Sequence, residues 1–190
     1  MEVRLKNVRI AFPALDKPVS FGNEGEPAYQ AKFIIEPGSA EVKLLDDAVL
    51  ATAKEKWKDK AGGVMEMLTE DKKLCFVHGP YKNKKSGEVY AGFEGKFSLS
   101  TRSPKTQPTV FDQFNREVKD PSEIKRLIYS GCFVHAKVDI WAQDNSYGRR
   151  INANIAGVMF AKEGEAFGGS APATGDDFAD LKADEDEALA

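Results

Sequence analysis

A chain of 190 residues with 42% hydrophobic and 10% aromatic residues can build one domain with a real core, or one domain plus a tail, and is too apolar to be disordered throughout. Its formal charge of -3 joins two unlike parts: residues 175–190, GDDFADLKADEDEALA, hold seven acids against Lys182 and carry -6, which leaves residues 1–174 at +3. No apolar run approaches the ~20 residues that span a bilayer, and MEVRLKNVRI lacks the apolar core of a signal peptide, so a cytoplasmic protein is expected.

Residues 2–12, EVRLKNVRIAF, mix β-branched and charged side chains and predict a first strand. Pro13, Pro18 and GNEGEP mark a long exposed loop. In AYQAKFIIE, residues 28–36, Tyr29, Ala31, Phe33 and Ile35 alternate with Gln30, Lys32 and Ile34, which predicts a second strand. Pro37-Gly38-Ser39 then starts a helix, with Ser39 as N-cap. Val42, Leu45, Val49, Ala53 and Trp57 form its apolar stripe and place Trp57 in the core or at a helix-docking contact. Gly62-Gly63 is expected to end that helix, and VMEMLTE to form a short second one.

From Leu74 onward the pattern is β. LCFVHG leads into YKNKKSGEVYAGFEGKFSLSTRS, residues 81–103, a lysine-rich hairpin and strand. TVFDQF predicts a short strand, and DPSEIKRLI one or two helical turns. GCFVHAKVDIWAQ and RRINANIAGVMFA predict two long strands joined by the turn-rich DNSYG. GEAFGGSAPATG reads as a flexible linker. The expected organisation is a body over 1–163, a linker over 164–174 and an acidic tail over 175–190. A mainly β chain with one inserted helix suits a small barrel or sandwich. Cys75 and Cys132 each sit in an apolar run and read as buried small hydrophobes.

Side chains alternate across a strand. Over residues 88–102 this puts Val89, Phe93, Phe97 and Leu99 on one face, and Tyr90, Glu94, Lys96, Ser98, Ser100 and Arg102 on the other. Over 132–142, Cys132, Val134, Ala136, Val138 and Ile140 face the core, while Phe133, His135, Lys137, Asp139 and Trp141 face away. Ile151, Ala153 and Ile155 point inward; Arg150, Asn152 and Asn154 point outward, with Tyr147 and Arg149 at the turn. Basic side chains interleaved with large rings suit single-stranded nucleic acid: cations track phosphates, and bases stack on aromatic faces at ~1–3 kcal/mol each. The phosphate candidates are Lys82, Lys84, Lys85, Lys96, Arg102, Lys137, Arg149 and Arg150, and the stacking candidates Tyr81, Tyr90, Phe133, Trp141 and Tyr147. Plainer readings stand beside these. Phe133 and Trp141 could pack under the inserted helix, and the 81–90 hairpin could be an ordinary wet tip.

KNVRIAFPAL at the start, YQAKFIIEP followed by a long helix, and YSGCFVHAKVDIWAQDNSYGRRINANIAGVMFAKEGEAFGG closing the folded part give a segment order that resembles the phage single-stranded DNA-binding proteins of OB-fold type. The resemblance covers roughly residues 2–169. It implies a five-stranded OB-type barrel with embellishments, a DNA groove across one sheet face and a mobile acidic C-terminus. Such tails recruit replication and repair partners and compete with DNA for the basic groove. Here the tail candidates are Asp176, Asp177, Phe178, Asp180, Asp184, Glu185, Asp186 and Glu187. Many such tails end in an aromatic residue; this one ends Ala188-Leu189-Ala190, with Phe178 internal.

No HExxH, CxxC, phosphate-binding glycine loop or nucleophile elbow occurs, so no cofactor, metal or catalytic residue is expected. The expectation is a non-enzymatic protein that coats single-stranded DNA during phage replication or recombination, with those machineries as tail partners. Three alternatives remain. They are a virion or scaffold interaction protein, an RNA-binding OB protein, and a metal-dependent nuclease for which Asp139 and Asp144 could be nominated.

Overall fold

The computed structural model describes residues 1–20 and 25–168. Strand β1 (Glu2–Val19) runs well past the loop expected at Pro13. Its first half pairs antiparallel with β7 (Phe133–Asn145), its second half with β2 (Ala28–Ile35). The strand bends at two of its three irregularities, Leu5/Val8 and Ala11/Ala14, where Asn7 and Phe12 take positive φ values of 52° and 50°. Pro13 falls inside the second irregularity, where its missing N–H breaks no ladder bond. That is why a proline-bearing segment continues as strand.

Helix α1 (Ala40–Trp57) buries Leu45, Val49, Ala53 and Trp57, as its stripe predicts. Ser39 holds the extended N-cap conformation, but its side chain makes no cap bond, and its hydroxyl is buried without a partner. The helix stops at Lys58, whose φ of 49° breaks the repeat, not at the glycine pair. After a 3-10 turn, α2 (Ala61–Glu70) carries Gly62 and Gly63 inside it. A Cβ at either glycine would meet nothing within 4 Å, so packing does not demand glycine there.

The remaining elements are β3 (Phe76–Val77), β4 (Phe97–Ser103), β5 (Thr109–Phe111), β6 (Glu117–Val118), α3 (Pro121–Leu127) and β8 (Gly148–Lys162). Asp120 caps α3 by accepting the Glu123 N–H at 3.0 Å. All eight strands lie in one sheet, ordered β3-β4-β2-β1-β7-β8-β5-β6. The fold is mainly β with an inserted helical segment, consistent with an OB-like fold, and the ladder is not closed. Beside the five strands that the resemblance implies, β3, β5 and β6, of two or three residues each, join the edges and bring the sheet to eight. At the open seam β4 meets β8 through a side chain: the Ser103 hydroxyl donates to the Ile155 carbonyl at 3.0 Å and accepts its N–H at 2.9 Å.

The main core lies between α1, α2 and the inner sheet face, where Cys132, Val134, Ala136, Val138, Ile140, Ile151, Ala153 and Ile155 are all buried as alternation predicts. Both thiols are buried, and burial pushes them up, Cys75 to about 12 and Cys132 to about 11. Beyond Ile155 a register shift between β7 and β8 reverses the parity, so Val158 and Phe160 turn inward. A further expectation fails. Residues 88–96 are not strand; Gly92 and Gly95 turn the chain at φ 86° and 67°. Phe93, Val89 and Tyr90 therefore join a second, smaller core with Ala11, Ile34, Tyr81 and Phe167, separate from that of Leu99. Alternation cannot be carried through a turn. Among the described residues no helix is long and apolar enough to cross a membrane.

Candidate nucleic-acid interface

A groove of about 910 Å³ crosses the seam between β4 and β8. Tyr81, Lys84, Lys32 and Arg102 line one side, from the hairpin, β2 and β4; Trp141, Tyr147, Arg150 and Asn152 line the other, from β7 and β8. Lys72 and Lys73, just after α2, add to the wall. Among the described residues six Lys and Arg side chains thus face the groove, against Glu26 as the one acid. Such an excess focuses a positive potential along the groove.

The rings are presented by different means. Trp141 donates its indole N–H to Asn154 Oδ1 at 3.0 Å, which orients the ring while leaving the residue 37% exposed. Tyr147 sits at the β7–β8 turn, 87% exposed; its backbone N–H is held by Asn145 Oδ1 at 3.0 Å. Tyr81 has Tyr90 stacked on it, centroids 5.2 Å apart at 16°, and the Lys32 ammonium 4.0 Å from its ring centroid. Burial, and then the neighbouring Tyr90, push the Tyr81 phenol above its ordinary range. The hairpin itself is set by Asn83, whose side-chain oxygen accepts the N–H groups of Lys85 and Ser86.

The groove gathers Tyr81, Lys84, Arg102, Trp141, Tyr147 and Arg150 from the sequence candidates. Tyr90 lines an adjoining cavity, and Lys82 and Lys85 are exposed on the hairpin outside the groove lining. Others lie elsewhere. Lys96 pairs with Glu36 and Lys137 with Glu2, each at 2.5 Å. Arg149 lies beside Asp144 at 3.3 Å. Phe133 faces Arg9 and Lys162, whose charged ends lie 5.4 and 4.5 Å from its ring centroid. Residues 164–168, expected as the start of a linker, are docked next to it: Tyr129 bonds both the N–H and the carbonyl of Gly164, and Phe167 stacks under Arg9 at 4.2 Å. The tail candidates Asp176, Asp177, Phe178, Asp180, Asp184, Glu185, Asp186 and Glu187 lie outside the described residues.

The carboxylates nominated for metal chemistry have other partners. Asp139 pairs with the N-terminal amine at 2.9 Å. Asp144 accepts the Trp57 indole N–H at 2.7 Å, which with Arg149 holds its carboxyl below the usual range. Among the described residues no three His, Cys, Asp or Glu side chains cluster as a metal site.

A family model described as the ssDNA-binding protein of Enterobacter phage Enc34 matches residues 1–189. The chain belongs to this Enc34 ssDNA-binding protein family. It is 31% identical over 192 residues to protein p50 of Acyrthosiphon pisum secondary endosymbiont phage 1, covering 100% of this chain and 98% of that one. Among solved structures it is similar to the Enc34 single-stranded DNA-binding protein in complex with ssDNA, at 30% identity and a TM-score of 0.72, over 88% of this chain and 89% of that chain. It also shares its fold with gp2.5, a single-stranded DNA-binding protein encoded by bacteriophage T7, at a TM-score of 0.55 and 15% identity, over 97% and 96% of the two chains.

Within this family member, three groove lysines carried no clear signal in the sequence. Lys32 alternates with core residues in β2 and reads as an ordinary outward side chain. Lys72 and Lys73 follow a helix end, where cations already have a reason to be. Only the folding of α2 against the seam brings these two to the groove.

Proposed function

We propose that this chain is a non-enzymatic phage single-stranded DNA-binding protein. It coats ssDNA, largely without regard to sequence, during replication or recombination in the host cytoplasm. One observation carries the reading: among the described residues the groove is lined by six cations and one acid, with Trp141 and Tyr147 exposed along it. Lys32, Lys72, Lys73, Lys84, Arg102 and Arg150 neutralise phosphates, and Trp141 and Tyr147 stack bases. The Enc34 relative that holds ssDNA, alike over most of both chains, supports this assignment. The five long strands β1, β2, β4, β7 and β8 serve as the OB barrel. Residues 1–168 form its body, with 175–190 as an acidic tail that competes for the groove and recruits replication or recombination proteins.

The test is binding of oligo(dT) to the full chain across a salt series, followed by tryptophan fluorescence. Single-strand phosphate contacts each contribute about -0.7 to the log–log slope, so four contacts give about -3. Quenching is expected from Trp141, because Trp57 is buried against Asp144. Absence of binding at low salt would overturn the reading.

A further inference from the structure

Beside the groove lies a second space, a cavity of about 320 Å³ walled by Phe12, Tyr81 and Tyr90, with Gln30 and Lys32 among its polar lining. Gln30, Lys32 and Tyr81 also line the groove, so the two spaces adjoin. The volume stands at the small end of ligand pockets, about 300–1,000 Å³, and fits a single ring system rather than a length of polymer. Phe12 reaches it from an unusual backbone. Its φ of 50° is a conformation that bulky side chains rarely take. Its N–H is fixed by Ser130 Oγ at 2.8 Å, and its ring meets Tyr90 edge-on at 5.0 Å. Strain held in place by surrounding contacts marks functional sites more often than packing sites.

The Lys32 ammonium stands 2.9 Å from Ser100 Oγ and 4.0 Å from the Tyr81 ring centroid. An ammonium has three protons. One serves Ser100, one the Tyr81 π-face, and the third remains for a ligand. We propose that this cavity is a nucleobase subsite in which one base leaves the strand, lodges among Phe12, Tyr81 and Tyr90, and presents a keto oxygen to Lys32. Thymine and uracil carry an acceptor oxygen at position 4, where cytosine carries an amino donor. An amino group there would set donor against donor. The subsite therefore prefers keto bases at one position of an otherwise tolerant groove, and it rests on the groove being the ssDNA site.

The preference is tied to a proton. Burial, and then the charge of Lys84, lower the Lys32 ammonium to about 8. The titratable or charged groups around it are Lys84 and the two phenols of Tyr81 and Tyr90; β1 adds Phe12, Pro13 and Ala14, and β4 adds Ser100 and Thr101, none of which titrates.

The full chain is titrated with oligo(dU) and oligo(dC) of equal length, whose bases differ in a 4-oxo or 4-amino group and in the proton on the neighbouring N3. The wild type is expected to favour oligo(dU) about fivefold, the worth of one net hydrogen bond. Lys32→Met is expected to bring the ratio near one, with affinity for both oligonucleotides lowered by the loss of one groove cation. A second arm needs no variant: the wild-type ratio shrinks from about pH 7 to about pH 8.5, as the ammonium loses its proton. Equal wild-type affinity for the two oligonucleotides, or a ratio that neither pH nor Lys32→Met moves, overturns the subsite and leaves the groove standing. Absence of binding to either oligonucleotide overturns the groove reading instead.

Discussion

Phe133 and Trp141 stand on the same strand, both at positions that alternation turns away from the core, and both with cations nearby. Trp141 lies open in the groove beside Arg150 and Asn152. Phe133 is closed in, with Arg9 and Lys162 beside its ring and the docked Gly164 against its other neighbours. The return of residues 164–168 makes the difference. Arg9 donates to the carbonyls of Gly131 and Glu165, and the Phe167 N–H bonds the Ser130 carbonyl at 3.0 Å. An aromatic residue beside a cation is therefore an unfinished statement. The cations of one site are taken up inside the chain; in the proposed reading those of the other serve a ligand.

The largest expected effect comes from emptying the open region of charge. Replacing Lys84, Arg102 and Arg150 together by Ala should lower the salt-dependence slope of oligo(dT) binding by about 2, from three phosphate contacts at about 0.7 each. A slope equal to that of the wild type would place the DNA elsewhere. Trp141→Ala should weaken binding by ~1–3 kcal/mol with little loss of thermal stability if, as proposed, the exposed ring stacks on bases rather than on the core. Wild-type affinity in that variant would make the exposed indole a bystander.

The closed region should behave in the opposite way. Phe133→Ala should cost ~2 kcal/mol of folding stability through lost packing and cation–π contact, while oligo(dT) affinity stays within about twofold of wild type. Denaturant unfolding beside the binding titration separates the two quantities, and a large affinity loss without destabilisation would reunite the two regions as one site. The smallest effects belong to Lys96→Ala and Lys137→Ala. Both lysines sit in surface ion pairs, and each variant should change stability by ~0.5 kcal/mol or less. Neither should move the salt slope; a shift of about 0.7 would restore that lysine to the phosphate path.

Much of the fold is legible because it rests on local periodicity. The period of two in residues 132–155 places eight inward residues correctly, and the helical stripe from Val42 to Trp57 does the same for α1. The misses fall where a local rule meets a longer-range demand. Pro13 reads as a loop, but a ladder irregularity absorbs it. Gly62-Gly63 reads as a stop, but Lys58 makes the break. Residues 88–102 read as one strand, but two glycine turns divide them and send Tyr90 and Phe93 to a different core from Leu99.

For the candidate site the division is sharper. Residue types along each strand already hold the chemistry, cations for phosphates and rings for bases, and their outward faces follow from the alternation of Cβ atoms. Which of those side chains share one groove depends on where β4 meets β8, where α2 ends and where the chain after Lys162 returns. These are contacts between residues far apart in the chain, set by how the elements pack in three dimensions, and no window of neighbouring residues contains them. The sequence by itself determined the kind of surface this protein can offer. Tertiary packing decided which part of that surface stays open and which part is spent on holding the fold together.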